Sequence, residues 1–107
     1  MRRGDLVTVA LQGDLGKPRP ALVIQSDLFD AHPSVAILPV TGELRVAPLF
    51  RIAVTPGERN GLTKPSQVMV DKPQSIAREK IGEVIGRLDD ETMLAVNRAL
   101  AVFLGFA

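Results

Sequence analysis

Apolar residues along this chain gather in short runs separated by clusters of Gly, Pro, Asp and Asn. Residues 6–10, 21–26, 34–41, 47–54, 66–71 and 81–88 carry these runs, and Val, Ile and Leu dominate them. Short β-prone runs bounded by turn residues read as strands. Ala21-Leu22-Val23-Ile24 has no polar interruption, as expected of a buried strand. Pro39 cannot donate to a ladder, so the third run ends there or lies at an edge or bulge. Pro56-Gly57 and Asn60-Gly61 make residues 55–61 the strongest loop signal. Residues 75–80 read as one helical turn.

From Asp89 onward the apolar period lengthens. Met93, Val96, Leu100 and Phe103 recur at helical spacing. Asp89 is a good N-cap, Asp90 and Glu91 place negative charge in the first turn, and Gly105 supplies a stop. A helix over residues 89–105 follows. No crossover helix separates the early strands, which disfavours a parallel sheet. The pattern predicts a mainly β chain of about six strands with a C-terminal helix, bent into an antiparallel sheet or partly open barrel.

Composition narrows the chemistry. The 107 residues suit one domain spanning 1–107, with 46% hydrophobic and 23% charged residues. The absence of cysteine excludes disulfides and thiolate metal sites, and points to the cytoplasm. His32 is the only histidine, beside Pro33 in a polar loop, so paired-histidine metal sites lack material and a Ser-His-Asp arrangement is disfavoured. No metal or other cofactor is expected. No run reaches membrane-spanning length, and Asp5 interrupts the apolar segment near the start, so neither a span nor a secretory signal is expected. Gly13-Asp14-Leu15-Gly16-Lys17 is glycine-rich, but Pro18 follows where a phosphate-cradling helix would begin. A net charge of +1 announces no bulk affinity for nucleic acid. Four Phe, with no Tyr or Trp, furnish a poor stacking platform.

What remains is chemistry by arginine, hydroxyl and carboxylate. Pro18 and Pro20 hold the backbone around Arg19 stiff and extended at the mouth of the second strand. The guanidinium there offers a fork of donors suited to phosphate or carboxylate. Thr41 follows the third strand, and Asp71 ends the fifth. In an antiparallel meander, strand ends share rims, so the three can converge on one surface. Taken singly, each also reads as an ordinary residue of a strand end.

Met1-Arg2-Arg3-Gly4-Asp5-Leu6-Val7, followed by Lys17-Pro18-Arg19-Pro20-Ala21-Leu22-Val23-Ile24-Gln25, resembles the opening of the MazF/PemK family, the ribonuclease toxins of type II toxin–antitoxin pairs. The resemblance continues through residues 35–41, 66–71 and 81–88 and into the last helix, nearly the whole chain. It implies an SH3-like barrel of the CcdB/PemK type, a homodimer, a cognate antitoxin partner and metal-independent cleavage of single-stranded RNA. Arg19 and Thr41 match the family's catalytic arginine and hydroxyl, and Asp71 matches an acid used in acid–base work or base recognition. The resemblance likewise implies RNA contacts at Lys17, Gln25, Gln74 and Ser75. Departures are local. The loop over residues 11–17 is shorter than in many members and lacks a histidine that some carry, Met69 stands where some have arginine, and Gln74-Ser75 replaces a frequent Arg-Thr. The alternatives are a gyrase-inhibiting toxin of the CcdB kind and an inactive binding module on the same barrel. The first lacks support in the ending Phe103-Leu104-Gly105-Phe106-Ala107, which has no Trp.

Overall fold

Alternation within the first three strands sends their side chains into two separate cores. The computed structural model describes residues 1–10 and 17–107. Its strands are β1 (Asp5–Val9), β2 (Arg19–Val23), β3 (Ser34–Thr41), β4 (Arg51–Val54), β5 (Ser66–Met69), β6 (Gln74–Ala77) and β7 (Ile81–Arg87), followed by helix α1 (Asp90–Leu104). Leu6 pairs with Leu22, and Leu22 with Leu38. These three leucines meet Val40, Val68, Val70 and the helix residues Met93 and Val96 in one core. One residue along, Val7 pairs with Ala21, and Val23 with Ile37. Those side chains face the other way and join Val9 and Val35 in a second core, against which Ile76 and Ile81 pack. Burial on both faces explains why the second strand lacks polar interruption.

All strand pairs are antiparallel, in the order β4-β5-β3-β2-β1-β7, with β6 also on β3. The joint is β3. Along one edge it pairs with β2. Along the other, Ser34 to Ile37 pair with β6, then Val40 and Thr41 pair with β5. Leu38 and Pro39 occupy the changeover between those partners. The proline therefore sits where that ladder is already interrupted, which allows it inside an otherwise long strand.

Several elements depart from the pattern-based expectation. The second strand begins at Arg19, so the cation is part of the ladder, opposite Val9. Residues 48–50 form a turn instead of opening a strand, with Phe50 N and Arg51 N donating to Ala47 O at 3.1 and 2.9 Å. The fifth strand stops at Met69, and Lys72 N closes a turn onto Met69 O at 3.2 Å. Where a helical turn was expected over residues 75–80, Gln74 to Ala77 form β6 on the free edge of β3, and only Arg78–Lys80 adopt a 3₁₀ turn.

Helix α1 follows expectation. The Asp89 carboxylate accepts from the Thr92 N–H at 3.2 Å and from its hydroxyl. Gly105 closes the helix with φ of 86°, a left-handed conformation that glycine adopts without strain. Met93 and Val96 are buried, while Leu94, Val102 and Phe103 stay exposed. No helix among the described residues is long and apolar enough to cross a membrane.

The loop between β4 and β5 winds around one amide. Asn60 Oδ1 accepts from Gly57 N and Leu62 N, both at 3.0 Å, and its Nδ2 donates to Thr55 O at 2.9 Å. The loop lies flat on β7: Arg87 N donates to Arg59 O at 2.8 Å, and a Cβ at Gly86 would stand 2.2 Å from the Asn60 carbonyl carbon. This seating fixes the chain that leaves the loop through Leu62, Thr63 and Lys64.

Candidate active site

Arg19 and Thr41 are brought to one place by register. Ala21 pairs with Pro39 across β2 and β3. Two residues further along each strand, in opposite chain directions, lie Arg19 and Thr41. Both line an open cleft of about 510 Å³ at this end of the sheet, walled also by Gly42, Glu43, Met69 and the segment from Leu62 to Lys64. Arg19 is exposed and Thr41 half-buried.

The Thr41 hydroxyl is oriented by its own turn. Glu43 N donates to Thr41 Oγ1 at 3.0 Å. That occupies the oxygen as an acceptor and leaves the hydroxyl hydrogen to donate elsewhere. The turn is stapled from behind. Arg51, only 9% exposed, donates from Nη1 to Glu43 O and to Gln67 Oε1, both at 3.0 Å. Gln67 in turn accepts from Arg45 N at 3.1 Å and donates to Arg45 O at 2.9 Å. A cation held in this way fixes the loop that carries Thr41, Gly42 and Glu43.

The other expected site residues are dispersed. Thr41 pairs with Gln67 near the start of β5, so the antiparallel register carries the end of that strand away from Thr41. Asp71 lies in the turn beyond β5 and is not among the residues lining the cleft, with its Oδ1 buried and without a hydrogen-bond partner among the described residues. The three-way convergence expected from strand ends reduces to Arg19 and Thr41. Lys17 is exposed just before β2. Gln74 and Ser75 are exposed on β6, opposite Ile37 and Ala36. Gln25 is engaged inside the fold: its Nε2 donates to Phe29 O at 3.1 Å and Ser34 O at 2.9 Å, and its Oε1 accepts from Ala36 N at 3.0 Å. These bonds clip the loop after β2 onto β3.

Residues 2–104 match the family described as PemK-like, MazF-like toxin of type II toxin–antitoxin systems. The chain belongs to this family. A probable endoribonuclease MazF of Mycolicibacterium smegmatis is 45% identical over 108 residues, covering 100% of this chain and 99% of the relative. The structure of the Mycobacterium tuberculosis toxin MazF-mt6 superposes with a TM-score of 0.81 at 25% identity, over 94% of this chain and 96% of that one. A mycobacterial endoribonuclease solved in complex with its cognate antitoxin gives a TM-score of 0.83 at 24% identity, over 100% and 97% of the two chains, and shares the fold.

Within this member of the PemK/MazF family, sequence reasoning overlooked Lys64. It lines the same cleft as Arg19, and its side chain lies over Gly42. No local pattern marks it, since a lysine before Pro65 in a loop reads as solvated charge. Arg51 was overlooked for a similar reason, because its burial depends on Gln67, which is 16 residues away.

Proposed function

We propose that the protein is an endoribonuclease toxin that cleaves single-stranded RNA through attack by the RNA's own 2′-hydroxyl. The observation that carries this reading is the shared cleft of Arg19 and Thr41, two residues beyond the Ala21–Pro39 pair. In this reaction the 2′-oxygen forms a bond to the adjacent phosphorus and the bond to the 5′-oxygen breaks. The products are a 2′,3′-cyclic phosphate and a 5′-hydroxyl. No protein nucleophile is required, and no metal is assigned a role.

Charge builds on the phosphate oxygens in the transition state. The Arg19 guanidinium is held at the strand mouth by Pro18 and Pro20, and it stabilises that charge through paired N–H donors. Thr41 donates its remaining hydroxyl hydrogen to the same phosphate. Donors fixed before reaction cost no reorganisation as the charge develops. Asp71, in the turn one residue past Val70, takes the role of contacting a neighbouring base. Lys17, Gln74 and Ser75 are exposed and serve the flanking strand, whereas the Gln25 amide is committed to the backbone. The working form in this reading is a homodimer, and the family's description as a toxin of type II toxin–antitoxin systems supports a cognate antitoxin as the protein that silences it.

The test is labelled single-stranded RNA of mixed sequence incubated with purified protein in EDTA, with product ends examined. Wild type should leave cyclic phosphate and 5′-hydroxyl ends. Thr41→Ala should slow cleavage about 10²–10³-fold, and Arg19→Ala at least as much. Intact RNA with wild type, or undiminished cleavage by both variants, overturns the reading.

A further inference from the structure

A side chain at position 42 would have no room. A Cβ built on Gly42 would fall 2.7 Å from Lys64 Nζ and closer still to Lys64 Cε. The lysine thus fills the space that glycine leaves vacant, directly beside Thr41. Its backbone is pinned at both ends: Asn60 winds the loop that leads into it, and Ser66 Oγ donates to Lys64 O at 2.9 Å. The Lys64 ammonium has no hydrogen-bond or ion-pair partner among the described residues. Glu43 brings one carboxylate to the same cleft but is not paired with it. An ammonium with no ion-pair partner among the described residues, in a cleft with Arg19, is suited to an anion supplied from outside.

We propose that Lys64 is a phosphate-binding residue of this cleft, a base-independent anchor for the RNA backbone, and that glycine at position 42 is what admits it. The inference rests on the RNA-cleaving reading above and adds a contact that reading does not contain. A lysine acts on phosphate as a point charge without the fork geometry of arginine. Lys64 therefore contributes to holding the strand and not to choosing the base. The backbone of Gly42 is not in the left-handed region, and the group displaced by a Cβ is the end of a flexible side chain. Alanine at 42 consequently moves the ammonium while leaving the fold intact.

The experiment measures binding of mixed-sequence 2′-O-methyl RNA, which has no attacking hydroxyl, as a function of salt between about 50 and 200 mM. Losing one phosphate contact to a single strand should lower the slope of log affinity against log salt by about 0.7. Lys64→Ala should show that change and bind on the order of tenfold more weakly at the low-salt end. Lys64→Arg should keep the wild-type slope. Gly42→Ala should imitate Lys64→Ala, and adding it to Lys64→Ala should have no further effect. An unchanged slope in Lys64→Ala, or full additivity of the two substitutions, overturns the inference while wild type still cleaves RNA. Wild type that neither cleaves RNA nor binds the 2′-O-methyl strand overturns the underlying functional reading.

Discussion

Arg51 Nη1 donates to Gln67 Oε1 at 3.0 Å, joining β4 to β5 behind the loop that carries Thr41. The pair is asymmetric. Arg51 is a buried cation with one other acceptor, Glu43 O, whereas Gln67 retains both bonds to the Arg45 backbone if Arg51 is removed. Gln67→Leu strands a charge, so it should cost about 3 kcal/mol in urea denaturation. Arg51→Leu removes the charge together with its needs and should cost distinctly less. Equal losses from the two would show that the ion's burial is not what makes Gln67 necessary.

Asn60 supports the opposite wall. Asn60→Ala removes three hydrogen bonds to the backbone and should cost roughly 2–3 kcal/mol. Asn60→Asp keeps an acceptor for Gly57 and Leu62 but loses the donor to Thr55, so it should fall between wild type and alanine. Denaturant midpoints rank the three proteins. An aspartate variant no better than alanine would refute the account of Oδ1 as the loop's organising atom.

Two glycines of one neighbourhood should respond in opposite ways. A Cβ at Gly86 would meet the Asn60 and Arg59 backbone at 2.2–2.6 Å, and backbone cannot swing aside as a side chain does. Gly86→Ala should therefore destabilise by 3 kcal/mol or more, as a rough figure, by lifting the loop off β7. Gly57 has no atom within 4 Å of the same position and no left-handed φ. Gly57→Ala should be neutral or stabilise by up to about 1 kcal/mol. Thermal melts of the two variants side by side suffice, and similar shifts would contradict the close approach.

Asp89 links the helix to pH. The Thr92 hydroxyl and then the Thr92 N–H bond its carboxylate and hold its pKa below the ordinary 3.8. A group with a depressed native pKa contributes stability above its unfolded value and loses it as pH falls through the native one. Asp89→Ala should lower Tm at neutral pH, and the gap from wild type should narrow below about 3.8 and close at stronger acidity. A gap that stays constant from neutral to acid pH would mean that the cap acts without its charge.

The legible parts of the chain were those with local causes. Asp89 and Gly105 bracket α1 because capping and left-handed stops are chemistry of single residues. The run at Ser34–Thr41 forms β3 as expected because its apolar content suffices. β6 was illegible: Gln74 and Ser75 are polar and exposed, and they become a strand only because β3 offers them an edge. The start of the fourth run was misleading because Pro48 and the Ala47 carbonyl turn the chain before Arg51. At the site, Arg19 and Thr41 stood out through proline rigidity and the match to the family motif. Lys64 did not, since its position depends on the missing side chain of a residue 22 positions earlier in sequence. Gln25 was legible as a polar residue but not as a clip, because its partners come from a 3₁₀ turn and a later strand.

β1 sits between β2 and β7, bound on one side to a neighbour and on the other to residues near the far end of the chain; Asp5 and Arg87, 82 positions apart, share both a register pair and an ion pair at 2.8 Å. Closing so long a loop costs entropy before its contacts repay it, which makes such topologies slow to assemble. A nascent chain carries Arg19 and Thr41 well before it carries β7. Until β7 emerges, β1 has an empty edge, the Asn60 loop has no surface to lie on, and Lys64 has no fixed place. The cleft of Arg19 and Thr41 therefore gains its fixed second wall only after β7 has been added to the chain.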